Sequence, residues 1–201
     1  MLRLPFQSPS DLPASLSAAR AVLAEHGIIA LPTESSYGLA VDPRDRVAVK
    51  RVFELKGREK GKDLLVIAGS LAQIDGLVHW PAFWRSRLEA VWPAPLTVIL
   101  PTREELAASS GAALAVRLPA HALVRGLLLR VGPLTATSAN RSGTAPLTTA
   151  QAVAEELGED LALLLDGGPV PGGAPSTLLD LRGARPRLLR PGPWQIPADW
   201  M

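Results

Sequence analysis

The chain has 201 residues, of which 47% are hydrophobic and 20% are charged, with a formal net charge of +2 and no cysteine. This hydrophobic fraction supports a buried core and argues against disorder, and the lack of cysteine excludes disulfides, thiolate catalysis and cysteine metal sites. The sequence shows neither a signal-peptide pattern nor the roughly 18 consecutive apolar residues of a membrane span, so we expect a cytoplasmic protein without membrane contact.

Helices and strands alternate along the predicted chain. The first helix begins near the capping residue Ser10 and ends at Gly27, and a capping box at 70–73 opens a short helix. The alternation predicts one α/β domain over residues 1–201, in which 193–201 form an ordered strap or a loose tail. The predicted strands are 28–32, 64–68, 96–101, 114–119, 134–138, 161–166, one that begins near Ser176 and one that ends at Arg190, and the other helices are 45–57, 121–130 and 148–157.

Three of the four lysines lie in residues 54–65, ELKGREKGKDLL, at the end of the second predicted helix. Cations at this end of a helix are favoured by the helix dipole, so one interpretation is a solvated helix end. The segment is not a P-loop, because its spacing is one residue short, Asp63 replaces the magnesium-binding Ser or Thr, and a helix precedes it. The other interpretation is a basic loop that binds phosphate.

Polar residues also follow two predicted strands. In residues 31–43, Gly38 would allow a sharp bend and Glu34 would be a turn residue or an exposed carboxylate. In residues 134–146, small polar residues follow a strand, which fits a polar loop and a ligand site equally well. Arg117 interrupts an apolar strand and points either to solvent or into a cleft.

Seven segments in a fixed order between residues 15 and 192 together resemble the YrdC-like domain family. They are PTESSYGL, KGREKGKDLL, WPAPLT, AVRLPAH, TSANRSG, PSTLLD and LRPG, each of them weak alone. The resemblance implies a twisted mixed open sheet, layered with helices around a concave basic cleft. The chain resembles the short single-domain form, since longer relatives carry a further C-terminal domain.

The resemblance also implies a reaction. Family members make L-threonylcarbamoyladenylate and pyrophosphate from L-threonine, bicarbonate and ATP, for the N6-threonylcarbamoyl modification of an adenosine in tRNA. Mg²⁺ is expected with the ATP, and no protein side chain is assigned to it. The candidate macromolecular partners are tRNA, double-stranded RNA and the proteins of the later transfer step.

Carried over residue by residue, the resemblance assigns side chains to both organic substrates. Ser35, Arg117 and Ser176 are predicted to bind threonine, with Arg117 on its carboxylate. Some relatives have histidine at Ile67 and serine at Pro146, so this chain lacks two polar contacts. The residues assigned to ATP are Lys56, Arg58, Lys62, Ser138, Asn140, Ser142 and Arg190, of which Lys56 and Arg58 are also assigned to catalysis.

The predicted reaction brings two anions together, because the carboxylate of a threonine carbamate attacks the α-phosphorus of ATP. The predicted cations would lower this repulsion and fix an in-line approach, without any protein nucleophile. Glu34 is a candidate general base only by its position. The alternative function is a non-catalytic module that binds double-stranded RNA or tRNA, in which the threonine-side residues have no evident use.

Overall fold

The computed structural model describes residues 1–57 and 63–200 as a mixed α/β fold. None of the helices in this part of the chain has the length and hydrophobicity needed to cross a membrane. The strands are β1 (Leu2–Pro5), β2 (Ile29–Pro32), β3 (Tyr37–Ala40), β4 (Val66–Ile67), β5 (Leu96–Pro101), β6 (Ala113–Arg117), β7 (Leu134–Thr135), β8 (Thr137–Ser138), β9 (Leu163–Asp166), β10 (Thr177–Asp180) and β11 (Arg187–Arg190). The helices are α1 (Leu12–Ala24), α2 (Arg46–Lys56), α3 (Leu71–Asp75), α4 (Ala82–Val91), α5 (Ala122–Val131) and α6 (Ala150–Leu157), with 3-10 turns at Pro9–Asp11 and Ala198–Trp200.

The strands form two sheets, where the sequence analysis predicted one. The five-stranded sheet has the order β1-β9-β2-β3-β8, and the six-stranded sheet has the order β11-β10-β5-β6-β4-β7. Both sheets are mixed, since β2 is parallel to β9 and antiparallel to β3, while β5 is parallel to β10 and antiparallel to β6. Strands β7 and β8 are consecutive in the chain, which therefore passes from one sheet to the other at Ala136. The predicted mixed α/β class is confirmed.

Helix α2 ends where the lysine-rich segment begins. Asp45 caps its start by accepting hydrogen bonds from two backbone amides, at 2.9 and 3.1 Å. Gly57 ends it with a φ of 58°, a left-handed conformation that glycine adopts without a Cβ clash. The last helical residue is Lys56, which is buried, and the predicted site residues Arg58 and Lys62 lie outside the described residues.

Several local predictions need correction. Gly38 forms no sharp bend but lies within β3, where it pairs with Ser138 of β8. Ser70 caps α3 by accepting a hydrogen bond from the Gln73 amide, but the Gln73 side chain accepts from the Gly69 amide and so does not complete the predicted reciprocal box. Strands β1 and β3 and helix α4 are not among the predicted elements.

The C-terminal segment is an ordered strap as far as Trp200. The Trp200 ring is buried and lies 5.3 Å from the Trp84 ring and 5.2 Å from the Trp194 ring, measured between centroids. The Trp194 amide and carbonyl both bond the Thr177 hydroxyl, at 3.1 and 2.7 Å. These contacts attach the strap to the start of β10.

Asp180 joins the two strands of the β10–β11 hairpin. Its carboxylate forms ion pairs with Arg182 at 2.7 Å and with Arg187 at 3.4 Å. The hydrogen bond from Arg182 is the largest cause that holds the pKa of Asp180 below its usual value. The charged carboxylate therefore stabilises the fold above its unfolded-state pKa of about 4, and this contribution is lost as the pH falls through the lower folded-state value.

We predict that Asp180→Asn lowers the free energy of unfolding near neutral pH by up to about 1 kcal/mol, since the ion pairs are partly exposed. The difference from wild type should shrink as the pH falls below about 4, as measured by urea denaturation at a series of pH values. The control is Glu159→Gln, because the exposed Glu159 forms no ion pair within the described ranges. A deficit for Asp180→Asn that stays constant from neutral to acid pH would contradict the prediction.

Candidate active site

A cavity of about 420 Å³ lies between the two sheets. Residues of β3 and β8 line one side, and residues of β4, β5, β6 and β10 line the other. Its volume is within the range of small-molecule sites. Of the predicted site residues, it brings together Ser35, Arg117, Ser138, Ser176 and Arg190.

One row of side chains crosses the six-stranded sheet on the face towards this cavity. Leu178 on β10 pairs with Arg190 on β11 and with Thr97 on β5. The register of β5 and β6 places Thr97 opposite Arg117, one residue beyond the last paired position, and Arg117 pairs with Ile67 on β4. Paired residues of neighbouring strands project to the same face of a sheet, and all five of these residues line the cavity. Strand register therefore brings distant sequence segments into one wall.

Arg117 lies in the cleft and is only 7% exposed. Its Nη2 lies 2.8 Å from Oε1 of Glu34, and this oxygen also accepts a hydrogen bond from the Ala120 amide. Burial lowers the pKa of Arg117, and the charge of Glu34 opposes this lowering. Within the described residues, Arg117 Nε and Glu34 Oε2 are buried without a hydrogen-bond partner. Glu34 is therefore the half-buried partner of the buried Arg117 and not an exposed loop carboxylate.

Arg190 connects the end of β11 to the start of β10. Its Nε and Nη2 donate to the Ser176 carbonyl at 3.2 and 2.9 Å, and Nη2 also lies 3.3 Å from the Ser176 hydroxyl. Partial burial first, and the charge of Arg117 second, lower the pKa of Arg190. No carboxylate pairs with Arg190 in residues 1–57 and 63–200. An anion bound near both guanidinium groups would relieve their mutual repulsion.

The glycine of the LRPG segment packs directly against the Ser176 backbone. A Cβ added to Gly192 would come within 3.0 Å of backbone atoms of Pro175, Ser176 and Thr177. Only a residue without a side chain permits so close an approach. Gly192 therefore helps to fix the position of Ser176, which sequence reasoning assigned to threonine but did not connect with this glycine.

Lys56 binds the loop that follows β8. Its Nζ donates to the carbonyls of Ser138 and Asn140 at 2.6 and 2.8 Å and to Asn140 Oδ1 at 3.2 Å. The Ser142 amide donates to the Lys56 carbonyl at 2.9 Å. Lys56, Asn140 and Ser142 do not themselves line the described cavity, whereas Ser138 does. The structure therefore places Lys56 as a support for the cavity wall at Ser138.

Sequence reasoning missed two buried hydroxyl groups of the cavity. Thr97 Oγ1 lies 2.7 Å from Ser176 Oγ, and the alternation of core and non-core positions in β5 could have indicated its orientation. The Tyr37 hydroxyl donates to the Gly168 carbonyl and accepts from the Gly167 amide, at 2.7 and 3.1 Å. Burial raises the pKa of Tyr37 to about 12, so this phenol stays protonated.

Comparison with known proteins supports a relationship along most of the chain. A "putative threonylcarbamoyl-AMP synthase" of Mycobacterium tuberculosis is 37% identical over 170 residues, which cover 83% of this chain and 78% of that protein. The threonylcarbamoyl-AMP synthase of Bacillus subtilis is 36% identical over 183 residues, which cover 88% of this chain but only 53% of that protein.

Solved structures show the same architecture. The crystal structure of P. abyssi Sua5 complexed with L-threonine matches with a TM-score of 0.88 and 33% identity, over 96% of this chain and 58% of that one. E. coli YciO matches with a TM-score of 0.86 and 20% identity, over 100% and 98% of the two chains, which shows the fold alone. The Sua5/YciO/YrdC family model, described as "Telomere recombination", matches residues 21–192. With this match over most of its length, and in agreement with the seven sequence segments, the chain belongs to the Sua5/YciO/YrdC family.

Proposed function

We propose that this protein makes L-threonylcarbamoyladenylate and pyrophosphate from L-threonine, bicarbonate and ATP, and that its product serves the threonylcarbamoyl modification of tRNA. The observation that carries the proposal is the pair of guanidinium groups in one cavity, since Arg117 is buried on β6 and Arg190 on β11 lacks a carboxylate partner in the described chain. The names of the relatives and the L-threonine in the P. abyssi structure support the choice of substrates.

The threonine side is the part of the six-stranded sheet that carries Arg117 and Ser176, whereas Arg190, at the β11 end of the row, stays assigned to ATP. Arg117 binds the substrate carboxylate with the guanidinium donors that Glu34 does not occupy, and Ser176 lies along the same wall. Glu34 lines the cavity next to Arg117, so we assign its carboxylate to the substrate amine. Ile67 presents an apolar surface next to Arg117, where some relatives have histidine.

The nucleotide side is the opposite wall together with Arg190 of β11. Ser138 lines the cavity there, and Lys56 holds the loop at Ser138 and Asn140 through its ammonium group. Arg58 and Lys62, whose structure is not described, are proposed to bind the phosphates from the segment that follows α2. With the two substrates on facing walls, the carbamate carboxylate approaches the α-phosphorus directly, and the arginines reduce the repulsion between the two anions.

Mg²⁺ is proposed to enter with ATP. The carboxylates that line the cavity are Glu34 and Asp63, and no cluster of three or more potential ligands forms within the described residues. Glu34 Oε1 pairs with Arg117, and Asp63 Oδ1 accepts hydrogen bonds from the Ser110 amide and hydroxyl. This donor set fits a metal held mainly by the phosphates better than one held by the protein, and such an ion would neutralise the departing pyrophosphate.

The proposed reaction predicts a strict requirement for all of its components. Purified protein should release pyrophosphate only when L-threonine, bicarbonate, ATP and Mg²⁺ are present together, because the carbamate must form before it attacks ATP. Pyrophosphate release is measured with each component omitted in turn. Equal release without L-threonine would contradict the proposal, and salt-sensitive RNA binding without any release would favour the binding-module alternative.

Arg117→Lys tests the threonine side. A lysine keeps the charge but cannot bond Glu34 and the substrate carboxylate with one planar group, so we expect the KM for L-threonine to rise at least about tenfold. The KM for ATP should change by less than about twofold, because the nucleotide lies on the other wall. Arg44→Lys is the control, since Arg44 also pairs with a carboxylate, that of Glu104, and neither residue lines the cavity. An equal rise in both KM values would contradict the assignment.

Lys56→Met tests the support of the nucleotide wall. Loss of charge-assisted hydrogen bonds to Ser138 and Asn140 should lower the free energy of unfolding by about 2 kcal/mol and raise the KM for ATP more than that for L-threonine. Unfolding and steady-state kinetics are measured on the same preparations. The matched control is Lys50→Met, because Lys50 is exposed on the same helix and, within the described residues, forms an ion pair with Glu54 alone. Unchanged stability in Lys56→Met would show that these bonds do not support the wall.

A further inference from the structure

Thr97 is a buried polar residue in a strand that is otherwise apolar. Its neighbours Leu96 and Val98 are fully buried in the hydrophobic core, and the pleat turns Thr97 to the opposite face, where it lines the cavity at 2% exposure. Its hydroxyl lies 2.7 Å from that of Ser176, and either oxygen can be the donor by distance alone. The direction of this bond decides what Ser176 can offer to a ligand.

Burial fixes the direction of the bond. If Ser176 donated its proton, the Thr97 hydroxyl would keep a proton for which the described residues offer no acceptor, although Thr97, at 2% exposure, is more enclosed than Ser176, at 6%. An unpaired buried hydroxyl is unfavourable. If Thr97 donates, its proton is accepted by Ser176 Oγ, and the Ser176 proton points into the cavity, where a ligand can accept it.

The acceptor sites of Ser176 support the same conclusion. A serine hydroxyl has one proton and two lone pairs. Thr97 uses one lone pair, and Arg190, which can only donate, lies 3.3 Å away and uses the other in a longer bond. With both lone pairs engaged, Ser176 can act towards a substrate only as a proton donor, and its partner must be a substrate oxygen that accepts.

We propose that Thr97 is a positioning residue that sets the Ser176 hydroxyl as a donor to the carboxylate of the amino-acid substrate. The carboxylate is the partner because Thr97 stands opposite Arg117 in the row across the sheet. The same carboxylate then receives hydrogen bonds from Arg117 and from Ser176. This inference rests on the proposed function, in which Arg117 binds the carboxylate of L-threonine.

The test is a double-mutant cycle between Thr97→Val and Ser176→Ala. Thr97→Val keeps the branched shape and removes the hydroxyl, so the KM for L-threonine should rise about fivefold to tenfold, with kcat and the KM for ATP within about twofold of wild type. Thr97→Ser restores the hydroxyl and should return the KM to within about twofold. In the Ser176→Ala background, Thr97→Val should add less than about twofold, because its effect acts through Ser176.

The choice of the carboxylate is tested with L-2-aminobutyrate, which is L-threonine without its hydroxyl. Thr97→Val should weaken inhibition by this compound by the same factor as it raises the KM for L-threonine. If only L-threonine is affected, Ser176 bonds the substrate hydroxyl and the carboxylate assignment is overturned. Should Thr97→Val fail to fold, Thr97→Ala takes its place in the cycle.

The remaining outcomes separate this inference from the proposed function. If wild type releases pyrophosphate with L-threonine but Thr97→Val matches it, the proposed function stands and the role of Thr97 is overturned. If the two substitutions raise the KM for L-threonine independently, so that their factors multiply in the double variant, the role of Thr97 is overturned as well. If wild type neither uses nor binds L-threonine, the proposed function fails first and this inference fails with it.

Discussion

The site depends on two like charges that the fold holds close together. Strand register places Arg117 and Arg190 in one row across the six-stranded sheet, and the pKa of each is lowered. Burial is the cause for Arg117, and partial desolvation and the charge of Arg117 are the causes for Arg190. Glu34 compensates Arg117 directly, while Arg190 is held by the carbonyl of Ser176. An anionic substrate bound near both guanidinium groups would offset their mutual repulsion.

Residues of both sheets form the cavity, and the chain crosses from one sheet to the other at Ala136, between β7 and β8. Strands β7 and β8 belong to different sheets, and Ala136 between them lines the cavity. The amides of Thr135 and Ala136 donate to carbonyls of Val41 and Leu65, at 2.8 and 2.7 Å, which fixes the crossing on both sides. The walls proposed to hold the nucleotide and the amino acid are therefore set in relation to each other by backbone bonds, and not by side-chain packing alone.

Local pattern predicted much of this fold, and long-range pairing explains what it could not predict. Apolar patterning located α2 and the strands near Ile29 and Leu96, because that signal lies within each element. Whether Arg117 faces solvent or a cleft depends on which elements cover that face of the sheet. The sequence around Arg117 holds no information about those distant elements. Gly38 was expected at a bend but lies in a strand, since its partner at Ser138 is distant in sequence. The seven segments, by contrast, identified the family, because seven segments in a fixed order are specific although each segment alone is weak.

The strap after β11 has an optical consequence. The Trp200 ring packs against the rings of Trp84 and Trp194, and the Trp194 backbone bonds the hydroxyl of Thr177, the neighbour of Ser176. Three indole rings are thereby connected through Thr177 to a residue of the cavity wall. We therefore expect the intrinsic tryptophan fluorescence to respond to any ligand that moves Ser176.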